Sequence, residues 1–503
     1  MVNFKCFLAG FIIILFTNPD LYSQSECSPE ITADDIQSHI YYLASDLLGG
    51  RYSGSEGSFK AACYIRNQFR NAGMKLIGNE GFQEFEIISS LHDGDNNTFL
   101  YNGHQAKYGI DFAPVYGSKN AILDAALVFA GYGFDIREDS LVWCDYDAVD
   151  VTGKWILLFK GYPGPREQEN PFIRFSRDDD KISLAINKGA AGIIFIDRPG
   201  SDFNDDEPIF PFLAEDLRLD LPAIRVTPSM ADNLLRADGW EVDSLKSLLN
   251  VTMAPHSMQL TTTVEAETDI IQERIKARNV VALLEGCDPV LKDSYIIVGA
   301  HYDHLGFKVT SEGLLEYDSL YVHNGADDNA SGTAGVLELA AMLAFKKAEI
   351  KRSILFIAFD GEECLLRGSR YFVSNPLVDL TKVSAMINLD MIGRLKLADP
   401  VLMAGGIGTA SESEQILLSL DTTKVKLDFF PQKEVYSDEI AFYQGNVPVF
   451  FFTSGMHDEY HTSDDDWNKI NFEGEKDVLE MVRQLILHLA NMDKPLTYQA
   501  NGQ

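Results

Sequence analysis

His301 stands directly after the apolar run SYIIVGA, with Asp303 two residues further on. The run SILFIAF leads into DGEE, which carries Glu362 and Glu363; VSAMINL ends at Asp390; VPVFFFTSG leads through a short loop to His461. Between the first two of these runs, GADDNASGTAG places Asp327 and Asp328 just ahead of the apolar stretch VLELAAMLA. Two imidazoles and a set of carboxylates, with no thiolate among them, suit a catalytic zinc or a similar divalent ion. Five donors exceed what one open catalytic site takes, but they fit two ions about 3.5–4 Å apart that share a carboxylate. A shared aspartate then bridges the ions, and each ion takes one histidine and one further carboxylate. A plainer reading of Asp327 and Asp328 is helix capping, since acidic groups are favoured at a helix N-terminus. Capping accounts for one of the pair and leaves the rest of the constellation unexplained.

The elements that must position these residues follow from the same runs. From ARNVVALLEG onward, apolar runs of strand length alternate with helical patterns, which predicts an α/β domain with a mostly parallel central sheet flanked by helices. Each run releases its acid or imidazole at or just past its C-terminal end, the edge where open α/β sheets bind ligands. Asp328 joins them at the mouth of a helix. Near the other end of the chain, Ile31 to Ala72 reads as helical. Thr32 with Asp35 forms a capping box, and Phe59, Ala62, Ile65 and Phe69 share a face before Gly73. Residues 118–267 have another texture: the short strand-like runs ALVFAGYGF, GKWILLFKG, AAGIIFID and LPAIRV dominate, with one helical stretch at Ile182–Lys188. The expected division is a leader at 1–25, an α/β domain built from 26–117 and 268–503, and a β-rich insert at 118–267.

Composition sets outer bounds. A chain of 503 residues with 46% hydrophobic content can bury the cores of two or more domains. A formal net charge of -33 argues against nucleic acid or an anionic membrane as partner. Lys5 ahead of FLAGFIIILF, with Ser23 and Ser25 beyond, has the shape of a secretory signal peptide cleaved after Ser25. That apolar run is too short to span a bilayer, and no later segment is long and apolar enough to do so. Ser25 and Glu26 make a poor lipobox, which argues against a lipid anchor on Cys27. The expected mature protein is exported, secreted or periplasmic. Beyond the leader the cysteines are Cys27, Cys63, Cys144, Cys287 and Cys364, too sparse for a disulfide framework and without the paired spacing of a thiolate zinc site.

In this order, HYDH, NGADDNASG, DGEE, NLDMIGR and DEYHTSDD resemble the secreted di-zinc aminopeptidases of the aminopeptidase Y and bacterial leucyl aminopeptidase family. The same superfamily holds the glutamate carboxypeptidases and the transferrin receptor ectodomain. The likeness covers residues 30–115 and 270–490, and KGAAGIIFID in the insert resembles a protease-associated domain. The resemblance implies a zinc exopeptidase fold, two zinc ions and peptide substrates. It makes Asp328 the bridging ligand, with His301 and Asp390 on one ion and Glu363 and His461 on the other. Glu362 would be the general base that takes a proton from the attacking water. Asp303 would accept the free ring N–H of His301, and Tyr460 would help stabilise the tetrahedral intermediate. Asp327 falls to a structural role, and His304, His323 and His457 to non-ligands.

Where such relatives often read SDH, this chain reads Ser437-Asp438-Glu439. Asp438 and Glu439 thereby become candidates for substrate binding, a cationic α-amine in particular. Glutamate-releasing relatives carry arginines in the segment matching NVPVFFFTSG, and this chain has none there. An aminopeptidase is therefore expected ahead of a carboxypeptidase or related amidohydrolase on the same fold. The complete ligand set with its base argues against a non-catalytic, receptor-like ectodomain.

Overall fold

The computed structural model describes residues 30–138, 140–165, 170–197, 219–311, 314–317, 321–430 and 436–500. The leader at 1–25 and Cys27 lie outside the described residues.

The apolar runs become the strands Ser353–Phe359, Tyr295–His301, Val383–Leu389 and Val449–Thr453, adjacent in that order and mutually parallel. All residues of the first, third and fourth are buried, as expected of strands covered on both faces, which read as continuous apolar runs. Along Ser353–Phe359, Ile354, Phe356 and Ala358 pack beneath the helices Ala33–Leu43, Glu56–Asn71, Gly332–Phe345 and Phe472–Asn491. Leu355, Ile357 and Phe359 face the opposite layer, where Arg367–Ser374 supplies Phe372 and Glu439–Gln444 supplies Phe442. Parallel pairing holds the centre of this nine-stranded sheet. Towards its edges, Ile270–Leu284 runs antiparallel to Ser353–Phe359, and Val401–Gly405 antiparallel to Val449–Thr453.

Helix Gly332–Phe345 is apolar on nearly every side and lies inside the core, the usual place for such a helix. A Cβ at Gly332 would stand 2.3 Å from the Leu389 carbonyl, so the helix start is pressed against the strand that ends at Asp390. Thr32 caps Ala33–Leu43, its Oγ1 accepting the Asp35 amide at 3.1 Å. Ala62, Ile65 and Phe69 are buried on Glu56–Asn71, but Phe59 is exposed, with the Arg278 guanidinium over its ring at 4.5 Å. At about 100° per residue, position 59 falls at the edge of the stripe that Ser58, Ala62, Ile65 and Phe69 define.

A second sheet of eight strands forms a separate layer with its own cores on either face. It includes Thr98–Tyr101, His104–Gln105 and Phe112–Pro114, so this unit begins before residue 118, where the sequence placed its boundary. Among the described residues it also carries the α-helices Asp178–Asn187, Pro228–Leu235 and Val242–Thr252, where one helical stretch was expected. The second begins with Thr227, whose side chain accepts the Met230 amide, and with Pro228 in its first turn, a strong start signal hidden among strand-like runs. The two sheets are joined where Met258–Thr268, in the second, passes directly into Ile270–Leu284, in the first. Among the described residues no helix is long and apolar enough to cross a membrane.

Candidate metal centre and active site

Parallel strands point their C-terminal ends one way, and the side chains released there meet. His301 is the last residue of its strand, Asp390 follows Leu389, and Glu362 and Glu363 come just after Phe359. His461 lies beyond Thr453 in a left-handed backbone conformation, φ +56°. Asp328 arrives from the turn Ala326–Ser331, ahead of Gly332–Phe345. The capping there falls to Asn329, whose Oδ1 accepts the Gly332 amide at 2.9 Å, so both aspartate side chains are left for other partners.

His301 Nε2 lies 3.3 Å from Asp328 Oδ1 and 3.5 Å from Asp390 Oδ1. His461 Nε2 lies 3.2 Å from Asp328 Oδ2 and 3.4 Å from Glu363 Oε2. Asp328 therefore turns one oxygen to each of two imidazole–carboxylate pairs. Donors on a tetrahedral zinc, with bonds of about 2.0–2.2 Å, stand about 3.3–3.6 Å apart, and these contacts, at 3.2–3.5 Å, lie close to that spacing. Asp390 Oδ1 is buried without a hydrogen-bond donor, the kind of orphaned oxygen that a cation satisfies. Burial alone would lower both histidines; the carboxylates around them win, raising His301 well above its usual range and His461 to about 10. The pocket thus calls for positive charge, and its nitrogen and oxygen donors suit a zinc-like ion.

The support around this cluster differs in part from expectation. His301 Nδ1 meets the main-chain carbonyl of Asp303 at 3.2 Å, with the Asp303 carboxylate further off at 3.7 Å. That carboxylate is engaged elsewhere. It accepts the Glu362 amide at 3.1 Å, the Glu363 amide at 3.3 Å and the Ser53 hydroxyl at 3.1 Å, and so holds the turn that bears both glutamates. Asp327 is buried, accepts the Gly393 amide at 2.7 Å and faces His457 Nε2 at 3.3 Å; burial pushes its carboxyl up to about 6. Asp465, which the sequence did not single out, accepts the amides of Asp327 and Asp328 at 2.9 and 3.0 Å. His304 and His323 are also buried; Nδ1 of His304 approaches Glu363 Oε1.

Arg51 was missed as well. Its fully buried guanidinium donates to the carbonyls of Leu43, Tyr302, Asn324 and Gly325, tying the His301 loop to the Asp328 loop. The only local sign was the glycine pair before it, with Gly49, Gly50 and Arg51 all at positive φ.

A cavity of about 410 Å³ opens onto the cluster. His301, Asp328, Glu362 and Asp390 form its polar end, and Met391, Met403, Phe430, Phe451, Met456 and Tyr460 line the rest. Tyr460 stacks on His461 with ring centroids 3.8 Å apart. A larger cavity, of about 670 Å³, lies beside Arg367 and Arg370 and holds none of the clustered donors.

Asp438 and Glu439 do not line the cavity over the cluster. Both are fully buried, and burial pushes their carboxyls up, Asp438 to about 8 and Glu439 to about 7. Glu439 accepts the amides of Tyr436 and Ser437 at 2.7 and 3.2 Å and the Asn388 side chain at 2.8 Å. The geometry gives it a structural place in the turn instead of a substrate contact. Glu439→Ala is expected to cost about 1–3 kcal/mol for each donor left unpaired. Glu439→Gln is expected to be far milder, because the Asn388 amide can turn and offer its unpartnered Oδ1 to the new NH₂ group. Urea unfolding of the two variants checks this, and equal losses in both would contradict it.

The family model for peptidase family M28 matches residues 279–486. A probable zinc metalloprotease of Pyrenophora teres f. teres (strain 0-1) is 37% identical over 126 residues, 25% of this chain and 24% of that protein. A probable leucine aminopeptidase of Trichophyton verrucosum (strain HKI 0517) is 30% identical over 169 residues, 33% of this chain and 38% of that one. The chain thus spans only about a quarter to two-fifths of the length of these curated relatives. Among solved structures, the aminopeptidase from Aneurinibacillus sp. strain AM-1 aligns over 94% of this chain and 97% of its own, at 21% identity and a TM-score of 0.49. The segment that resembles peptidase family M28, residues 279–486, contains the whole histidine and carboxylate cluster.

Proposed function

We propose that this protein releases N-terminal residues from peptides with two divalent ions, most simply zinc, bridged by Asp328 and completed by His301 with Asp390 and by Glu363 with His461. One observation carries the reading: Asp328 gives one oxygen to each of two imidazole–carboxylate pairs at 3.2–3.5 Å spacing. Bound there, the ions would polarise the scissile carbonyl and make water acidic enough to attack near neutral pH. Glu362 lines the cavity 4.0 Å from His301 Nε2, outside both donor trios, and is placed to take the proton of that water and hand it to the leaving amine. Burial and the neighbouring carboxylates push its carboxyl above the ordinary range, and cations bound beside it would draw it back towards the ionised form that a base needs. Tyr460 is held by its stack on His461; burial first, then the carboxylates, keep its hydroxyl protonated as a donor for the developing oxyanion.

Substrate orientation follows from the cavity. A free α-amine is a cation and finds Glu362 and Asp390 at the polar end, while methionine and phenylalanine walls receive an apolar first side chain. Among the described residues, no lysine or arginine lines this cavity to hold a terminal carboxylate. Acetylating a peptide's N-terminus is expected nearly to abolish cleavage, and amidating its C-terminus to leave it intact, as read by product mass. Efficient trimming of acetylated peptides from the C-terminal end would replace this reading with a carboxypeptidase. The leader-like segment at 1–25 supports export, and the strand texture of the second unit supports a protease-associated module beside the catalytic domain.

A further inference from the structure

Glu363 has two carboxylate oxygens, and they meet different partners. Oε2 lies 3.4 Å from His461 Nε2, whereas Oε1 lies 2.6 Å from His304 Nδ1. The two lengths belong to different kinds of contact. Atoms bound to one tetrahedral zinc stand about 3.3–3.6 Å apart. A separation of 2.6 Å is that of a short, charge-assisted hydrogen bond with the proton between the two atoms. His304, Asp328 and Glu363 lie close enough together to be taken for a further donor trio. Yet His304 Nδ1 is 3.8 Å from Asp328 Oδ2, too long for a tetrahedral edge, just as 2.6 Å is too short for one.

We infer that His304 is a positioning residue: its Nδ1–H holds Glu363 Oε1, so that Glu363 offers a single oxygen, Oε2, to the ion it shares with His461. The inference rests on the two-ion reading above.

The imidazole has little freedom to do otherwise. It is fully buried, and Gly325, at φ +53°, lies flat against it: a Cβ there would stand 2.5 Å from Cδ2 and 2.6 Å from Cγ of the ring. The His461 ring meets it edge-on at 5.7 Å between centroids. A carboxylate free to bind through both oxygens can occupy the open position that a catalytic site must keep for substrate or water. Fixing Oε1 on His304 prevents this. It also explains why a third imidazole sits so close to the cluster without joining it.

Asparagine separates the donor role from the ligand role. In His304→Asn the side-chain amide nitrogen comes close to the position of Nδ1 and keeps a donor for Glu363. In His304→Gln the amide reaches towards the position of Nε2, and His304→Ala has no donor at all. The affinity of each ion is measured on purified full-length protein by competition with a chelator, and the Co²⁺-substituted forms by visible absorption. His304→Ala and His304→Gln are expected to bind the second ion about 10–100-fold more weakly, with the first ion unchanged. His304→Asn should stay within a few-fold of the original protein and keep its Co²⁺ spectrum. If asparagine fails as badly as alanine while urea unfolding shows both variants folded, the ring is a ligand and the inference falls. Unchanged affinities in all three variants would reduce His304 to packing and also overturn it. Should the unsubstituted protein bind only one ion, the two-ion reading itself fails, a result distinguishable from either of these.

Discussion

Replacing Glu362 by Gln is expected to lower turnover by about 10²–10⁴-fold or more, the usual range for a lost general base, and to leave both proposed ions bound. The two halves of that expectation have separate grounds. Glu362 approaches the cluster only at 4.0 Å from His301 Nε2, whereas the donor contacts lie at 3.2–3.5 Å, so its amide replacement takes no donor from either ion. The turn that carries it is fixed through backbone amides held by Asp303, which the substitution does not touch. What Gln cannot do is accept and return a proton. Turnover and metal content are measured on the same preparation, with Glu363→Gln alongside. If Glu362→Gln empties the site and Glu363→Gln does not, the roles of the two glutamates are reversed.

The same pair shows why so much of the site was legible in the sequence. A buried parallel strand is mostly apolar, so charged residues and imidazoles gather at and just past its C-terminal end. His301 and Asp390 stand at such ends, the Glu362–Glu363 pair follows Asp360 in the turn after Phe359, and parallel pairing brings the ends together whatever the loops do. The supporting groups are less readable because they act across the chain. Arg51 reaches Asn324 and Gly325, and Asp465 reaches Asp327 and Asp328, over separations that no local pattern encodes.

Asp303 and Glu439 show a different limit. Each was recognisable as a carboxylate near the chemistry, but residue type does not say which donor a carboxylate faces. Asp303 turned to two backbone amides and left the His301 ring to its own carbonyl. Glu439 turned inward to Tyr436, Ser437 and Asn388. In the second unit the strand-like texture concealed two short helices and drew the boundary too late. Thr98–Pro114 carries too few residues per strand to announce which sheet it joins.

Asp328→Ala is expected to strip both ions at once, an effect that none of the other donors should reproduce. Asp390→Ala or His461→Ala removes a donor from one imidazole–carboxylate pair and leaves the other intact, whereas Asp328 contributes an oxygen to each. Without it, each ion keeps one imidazole and one carboxylate, too few to hold a structured zinc site. The backbone has independent anchors. The amide of residue 328 is held by Asp465 Oδ2 at 3.0 Å, Asp327 is tied to the Gly393 amide at 2.7 Å, and Asn329 caps the helix that follows. Loss of metal should therefore occur in a folded protein, and linkage provides the readout. An ion at 100 times its dissociation constant stabilises the native state by about 2.7 kcal/mol per site. Added zinc should raise the urea midpoint of the original protein in two saturable steps, raise that of Asp390→Ala in one, and leave that of Asp328→Ala unmoved, with metal analysis giving two, one and no ions per chain. If Asp328→Ala kept one ion at its original affinity, Asp328 would belong to a single site, and the shared carboxylate on which the two-ion reading depends would be lost.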